Sequence, residues 1–182
     1  MLLKKTLPFI IFFFCLGAAA QQNSNFVKWS ADRKLQWNDY LAAPDSRSSA
    51  AASTSTQLGF EYHVRDNNLT FTITCYFAKE KSWGRYKNDY ILSHEQGHFD
   101  IAEIFARKFF KMLKGYHFNA GSYKSDLKNI YTTAMQDKEK FQQQYDNETD
   151  YSRNQAKQKE WLVKVKSLLE ESDEYADYYL SK

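Results

Sequence analysis

From residue 69 to 77, apolar and polar side chains alternate without a break. Leu69, Phe71, Ile73, Cys75 and Phe77 fall on one face, and Thr70, Thr72, Thr74 and Tyr76 on the other. A period of two in residues rich in β-formers predicts a half-buried strand. Residues 57–64 read as a second strand. Asp66-Asn67-Asn68 between them has turn chemistry, so a hairpin is expected. The period then lengthens. Ile91, His94, His98, Ala102, Phe105, Phe109 and Met112 recur at three- and four-residue steps, predicting a helix over about 89–114 that Gly115 stops. Further helices are expected over about 125–145 and 154–169. Proline occurs only at Pro8 and Pro44, so long helices are allowed, and no internal repeat is seen. Strands first and helices afterwards predict an α+β fold: a small antiparallel sheet, a long helix, then C-terminal helices.

The first twenty residues do not belong to this pattern. Lys4 and Lys5 precede an apolar run over 7–16, and Gly17-Ala18-Ala19-Ala20 offers a small-residue cleavage site. This is the layout of a secretory signal peptide, too short to span a bilayer comfortably. Phe12-Phe13-Phe14 before Cys15 does not suit a lipoprotein signal. The expected organisation is a leader over 1–20 and one domain over 21–182, exported to the periplasm or the medium, with no stable membrane insertion after cleavage. Residues 47–56, RSSAAASTST, read as a loop leading into the first strand.

Removal of the leader takes away two lysines and no acid, leaving 23 basic against 22 acidic side chains. A net charge near +1 recommends neither nucleic acid nor an anionic membrane as partner. Cys75 is then the sole cysteine, so an internal disulfide is excluded and stability must come from the core or from a metal.

The chemistry lies in His94-Glu95-Gln96-Gly97-His98. On a helix, positions four apart share one face, and two imidazoles there can grip one zinc ion at about 2.0–2.1 Å. Glu95 is rotated about 100° from His94, too far round to chelate easily but able to meet a water bound to the metal. Zinc lowers the pKa of such a water towards about 7; a carboxylate can take its proton and later hand it to a leaving amine. H-E-x-x-H needs those residue types at that spacing for this reason. Gly97 inside the helix costs about 1 kcal/mol relative to alanine, which makes sense where another segment or a substrate passes close by.

Catalytic zinc takes three protein ligands and a water, and the third is less legible. Position 104 is Ile, which excludes the class with a further histidine six residues on. His63 and His117 are weak candidates. Asp100 and Glu103 lie off the His94/His98 face and are expected behind the ligands or at the surface. QQYDNETDYSRN, residues 143–154, is the richest acidic cluster. Asp146 is the preferred ligand, followed by Glu148 and then Tyr151. Asp150, one helical turn after Asp146, could orient a ligand histidine, and Tyr151 could lend its phenol to a developing oxyanion.

In LQWNDYLAAPD (35–45), SSAAASTST (48–56), SW (82–83), HEQGHFDIAEIFARK (94–108) and YDNETDYSRNQAKQKEW (145–161) the chain resembles the bacterial domain-of-unknown-function family 922, exported proteins grouped with zincin-like metallopeptidases. The resemblance implies a zincin-type fold, zinc as cofactor and hydrolysis of a peptide or protein substrate. One departure stands out: members that read T-x-H-G or T-x-H-S have a histidine where this chain has Tyr151. Two functions are carried forward. The first is a zinc peptidase with His94, His98 and Asp146 on the metal, Glu95 as general base and then acid, Tyr151 assisting, and substrate held along the 69–77 strand with Trp83 near the cleft rim or in the core. The second is a non-catalytic, zinc-stabilised module binding envelope components.

Overall fold

A computed structural model describes residues 25–178; the leader read over 1–20 lies outside them. The elements are α+β in the expected order. Five strands, β1 (Phe26–Lys28), β2 (Ala52–Ser53), β3 (Thr56–Arg65), β4 (Asn68–Ala78) and β5 (Trp83–Gly84), precede α1 (Asp89–Lys114), α2 (Tyr123–Thr149) and α3 (Gln155–Glu171). β1, β4 and β3 form one antiparallel sheet in that spatial order, and β2 pairs with β5 in a second. No helix among the described residues is long and apolar enough to cross a membrane.

The hairpin forms where its turn chemistry puts it. Asp66 and Asn67 both take positive φ, 51° and 60°, and Arg65 pairs with Asn68 across a two-residue turn. Left-handed conformation at both central positions matches the twist of the flanking strands, and Asp and Asn tolerate it better than most residues. Ile73, Cys75 and Phe77 of β4 are buried, as the alternation requires.

α1 begins at an Asn88 cap whose side chain accepts a hydrogen bond from the Ile91 amide at 2.9 Å, satisfying one of the free first-turn donors. Its apolar stripe turns out to be only part of the buried surface, because the helix has neighbours on two sides. Phe99, Ala102, Ala106 and Phe109 pack on the sheet with Ile73, Cys75 and Phe77. Ile101, Ile104 and Phe105 pack the other way, against Tyr145 of α2 and Trp161 and Val165 of α3. Burial on both sides fixes α1, and whatever chemistry it carries, between sheet and helices.

Two expectations need correction. β4 is paired with β3 along its length and with β1 at Tyr76–Ala78, and none of residues 69–77 lines the cleft described below, so the strand is poorly placed to hold a substrate at the site. α2 does not end at Tyr145; it continues to Thr149 and then turns left-handed for three residues, with φ of 49° at Asp150, 51° at Tyr151 and 73° at Ser152. Left-handed backbone strains residues that carry a Cβ. The run is held by hydrogen bonds from the Tyr151 amide to Asp146 O (2.8 Å) and from the Asn154 amide to Thr149 O (2.8 Å), and from the Tyr90 hydroxyl to Ser152 O (2.5 Å). Ser152→Gly relieves strain without touching these backbone partners. It is expected to raise stability by about 0.5–1 kcal/mol and the Tm by roughly 1–4 °C in thermal unfolding; a lower Tm would contradict the assigned strain.

Candidate metal centre

α1 crosses the floor of an open cleft of about 440 Å³ and presents His94, Glu95 and His98 to it. One wall is the C-terminal half of α2, with Lys138, Gln142 and Asp146; the other is the segment from Ser48 through Thr56, with Trp83 behind. Tyr151 and Ser152 close one end. Trp83 thus serves both roles anticipated for it, since it is 8 % exposed and still lines the cleft.

Asp146 Oδ1 lies 3.2 Å from His94 Nε2 and 3.1 Å from His98 Nε2. Donor atoms of the three residues all fall within 4.8 Å of one another. Ligand atoms 2.0–2.1 Å from a tetrahedral zinc stand about 3.3 Å apart, and both Asp146 distances are of that size. Asp146, the preferred choice, is therefore the residue the fold brings to the histidines. Glu148 is not: its carboxylate accepts hydrogen bonds from Gln144 Nε2 at 2.7 Å and from Trp161 Nε1 at 2.8 Å. Tyr151 stays 55 % exposed at the cleft's end. Asp150, beyond the helix, does not orient a histidine; its carboxylate takes the Arg153 guanidinium at 2.7 and 3.0 Å. His63 and His117 are exposed and outside the donor cluster.

Charge in the site is shared between Asp146 and the imidazoles. Burial alone would push the Asp146 carboxyl up, but hydrogen bonds and charge from His94 and His98 outweigh it and hold it below the usual carboxylate range. Burial would lower His98, and the hydrogen bond and charge of Asp146 more than reverse this.

Two residues that sequence reasoning missed hold the histidines in place. Gln142 grips His98 twice, its Oε1 bonded to the ring Nδ1 and its Nε2 donating to the His98 carbonyl at 2.9 Å. The bond at Nδ1 leaves Nε2 as the nitrogen facing Asp146. Tyr145, fully buried, stacks on the His94 ring at 4.5 Å and 21°, and its hydroxyl donates to the His94 carbonyl at 3.2 Å. Gln142 sits four residues before Asp146, on the same side of the helix, so once Asp146 is chosen that spacing points to Gln142 as well.

Tyr145 also explains Gly97. A Cβ there would lie 2.5 Å from the Tyr145 hydroxyl oxygen, 2.9 Å from Cζ and 3.1 Å from Cε1. The ring is wedged between α1 and Trp161 and cannot yield without moving His94. Gly97→Ala is expected to cost about 1–3 kcal/mol in urea unfolding and to weaken metal binding as the helices part. Unchanged stability would mean that the contact is soft.

Asp100 and Glu103 are not surface charges. Asp100 Oδ1 accepts from Trp29 Nε1 at 2.8 Å and Gln96 Nε2 at 2.7 Å. Glu103 is 1 % exposed, paired with Arg107 at 2.9 Å and taking the Tyr178 hydroxyl at 2.6 Å. Both point away from the cleft, as their helical phase predicts, and tie neighbouring segments to α1.

Glu95 is 4 % exposed and lines the cleft, yet its Oε2 is enclosed without a hydrogen-bond partner in the protein. A buried carboxylate oxygen is costly unless something satisfies it. Two imidazoles, one carboxylate and an unsatisfied glutamate facing an open cleft fit a divalent cation with an exchangeable position.

Over residues 20–153 the sequence matches the family described as bacterial protein of unknown function (DUF922). The chain belongs to that family. No curated protein and no solved structure matches it significantly. The DUF922 segment contains β1 to β5, α1, α2 and every cleft residue named above, whereas α3 lies beyond it and serves as packing behind α1.

Proposed function

We infer that this DUF922 protein is an exported, zincin-like zinc peptidase that hydrolyses peptide bonds in the periplasm or outside the cell. The observation that carries the reading is the convergence of His94 Nε2, His98 Nε2 and Asp146 Oδ1 beside a buried glutamate with an unsatisfied oxygen. His94, His98 and Asp146 would hold the ion. Bound zinc would supply Lewis acidity, polarising a peptide carbonyl and lowering the pKa of a water towards about 7.

The chain's own groups then have separable tasks. The Glu95 carboxylate takes a proton from the attacking water as the water oxygen adds to the carbonyl carbon, and returns it to the amide nitrogen as the C–N bond breaks. Tyr151 offers a phenol from the cleft's end to the oxygen that gains charge. Gln142 and Tyr145 keep the imidazoles from turning, since a small displacement at a metal site is expensive in rate.

The substrate has a better docking edge than the 69–77 strand. β2 pairs with β5 on one side only, and its segment lines the cleft. An extended peptide can add to that free edge through main-chain hydrogen bonds, which brings it across the metal centre.

The rival reading is a non-catalytic module stabilised by zinc. A structural site favours four protein ligands, and among the described residues three donor groups gather. The test is direct: zinc-loaded protein is incubated with a diverse peptide library and the products are read by mass spectrometry. One bound zinc with cleavage supports the peptidase; one bound zinc with every peptide intact removes it in favour of the module.

A further inference from the structure

Lys138 is the one lysine or arginine among the cleft-lining residues, and nothing described so far uses it. It is half-buried, and no carboxylate among the described residues forms an ion pair with it. Its charged neighbours are engaged elsewhere: Asp137 lies 3.8 Å from Lys140, and Glu139 Oε1 accepts from Gln143 Nε2 at 3.0 Å. A half-buried lysine on the wall of a cleft gains most from an anionic partner there.

Its position along α2 sets the distance. Lys138, Gln142 and Asp146 follow one another at four-residue steps up one side of the helix. Eight residues at about 1.5 Å each put Lys138 roughly 12 Å from Asp146, which an extended peptide at about 3.3 Å per residue covers in three or four residues. The opposite wall, residues 50–56, carries nothing larger or more polar than Thr, so the one other charge at that end is Glu139, which also lines the cleft and whose carboxylate accepts from Gln143 Nε2 rather than pairing with Lys138. Close to the reacting bond Glu95 and Asp146 repel an acidic group; only at the far end does the cleft favour one.

Resting on the peptidase reading, we propose that Lys138 is a specificity residue that binds a carboxylate on the substrate, three or four residues from the bond that is cut. The carboxylate comes from an Asp or Glu side chain or from the peptide's own C-terminus; the chemistry is shared.

The experiment uses zinc-loaded protein and labelled nine-residue peptides of Ala, Ser and Thr in which one Glu, Gln or Lys is walked along the sequence, each made with a free and an amidated C-terminus. Binding is followed by fluorescence anisotropy on Glu95→Gln protein, and cleavage on protein with Glu95 intact. With Lys138 present, one Glu position is expected to bind roughly five-fold tighter than Gln, with the gain in KM and not in kcat. Lys138→Arg keeps the preference, Lys138→Gln loses it and Lys138→Glu inverts it towards Lys peptides, all with unchanged zinc content. A gain that follows the free terminus instead of the Glu position assigns the α-carboxylate. Equal Glu-to-Gln ratios in Lys138→Glu and the parent protein overturn the proposal. The two readings fail separately: charge-selective binding without cleavage removes the peptidase and keeps the Lys138 site, while cleavage without charge preference does the reverse. Absence of binding by every peptide removes the proposal.

Discussion

Glu95→Gln is expected to leave one zinc bound per chain and to lower kcat/KM for any cleaved peptide by roughly 10²–10⁴-fold, the usual contribution of a positioned general base. The amide keeps the shape of the carboxylate, so packing around a residue that is 4 % exposed is disturbed little. What it loses is the carboxylate's ability to accept and return a proton. Zinc should stay because the donor cluster is His94, His98 and Asp146, without Glu95. The unfolding midpoint of the metal-free variant should equal or exceed that of the parent, since a buried carboxylate kept unsatisfied for chemistry is a stability cost. The measurement is paired: zinc by a chromophoric chelator, and initial rates on the best library peptide. Full activity in Glu95→Gln would dismiss the general-base role, and loss of zinc would make Glu95 a ligand.

The fold and the site were legible in the sequence to unequal degrees, for physical reasons. β4 and α1 declared themselves because each repeats its period many times. β2 and β5 have two residues each, and a period of two cannot be seen in Ala52-Ser53 or Trp83-Gly84. The segment 47–56 therefore read as a loop, although part of it forms the cleft wall. The 69–77 strand, the strongest alternation, invites a substrate role, yet none of its residues lines the cleft. Clear alternation signals one buried face and says nothing about whether an edge is free.

In the site, His94, Glu95 and His98 are local and their spacing carries the geometry. Asp146 is 48 residues beyond His98 in the sequence, so only its acidic neighbourhood hinted at it, and Glu148 two residues away was nearly as good by that criterion. What separates them is which side of α2 faces α1. Tyr145 packs into that interface and Glu148 turns to Trp161. Gly97 was the better clue. A glycine in mid-helix signalled close approach, and the approaching group proves to be Tyr145, the residue just before Asp146.

Asp146→Ala is expected to reduce zinc affinity by more than the 10- to 100-fold typical of an outer partner, because it removes a donor and leaves two imidazoles on one helix face. Glu148→Ala and Tyr151→Phe are the controls, and each should fail in a different way. Glu148→Ala strips the acceptor from Trp161 Nε1, on a residue that is 2 % exposed; losing that partner lowers urea stability while zinc binding holds. Tyr151→Phe removes a hydroxyl from a residue 55 % exposed, so stability and zinc content hold, and only the rate of cleavage declines. Competition against a chelator of known affinity separates the three variants. Zinc retained in Asp146→Ala and lost in Tyr151→Phe would move the third ligand to Tyr151. Such a result would require the left-handed run at 150–152 to reorganise on metal binding, because in this structure it is Asp146 Oδ1 that stands 3.1–3.2 Å from both imidazole nitrogens.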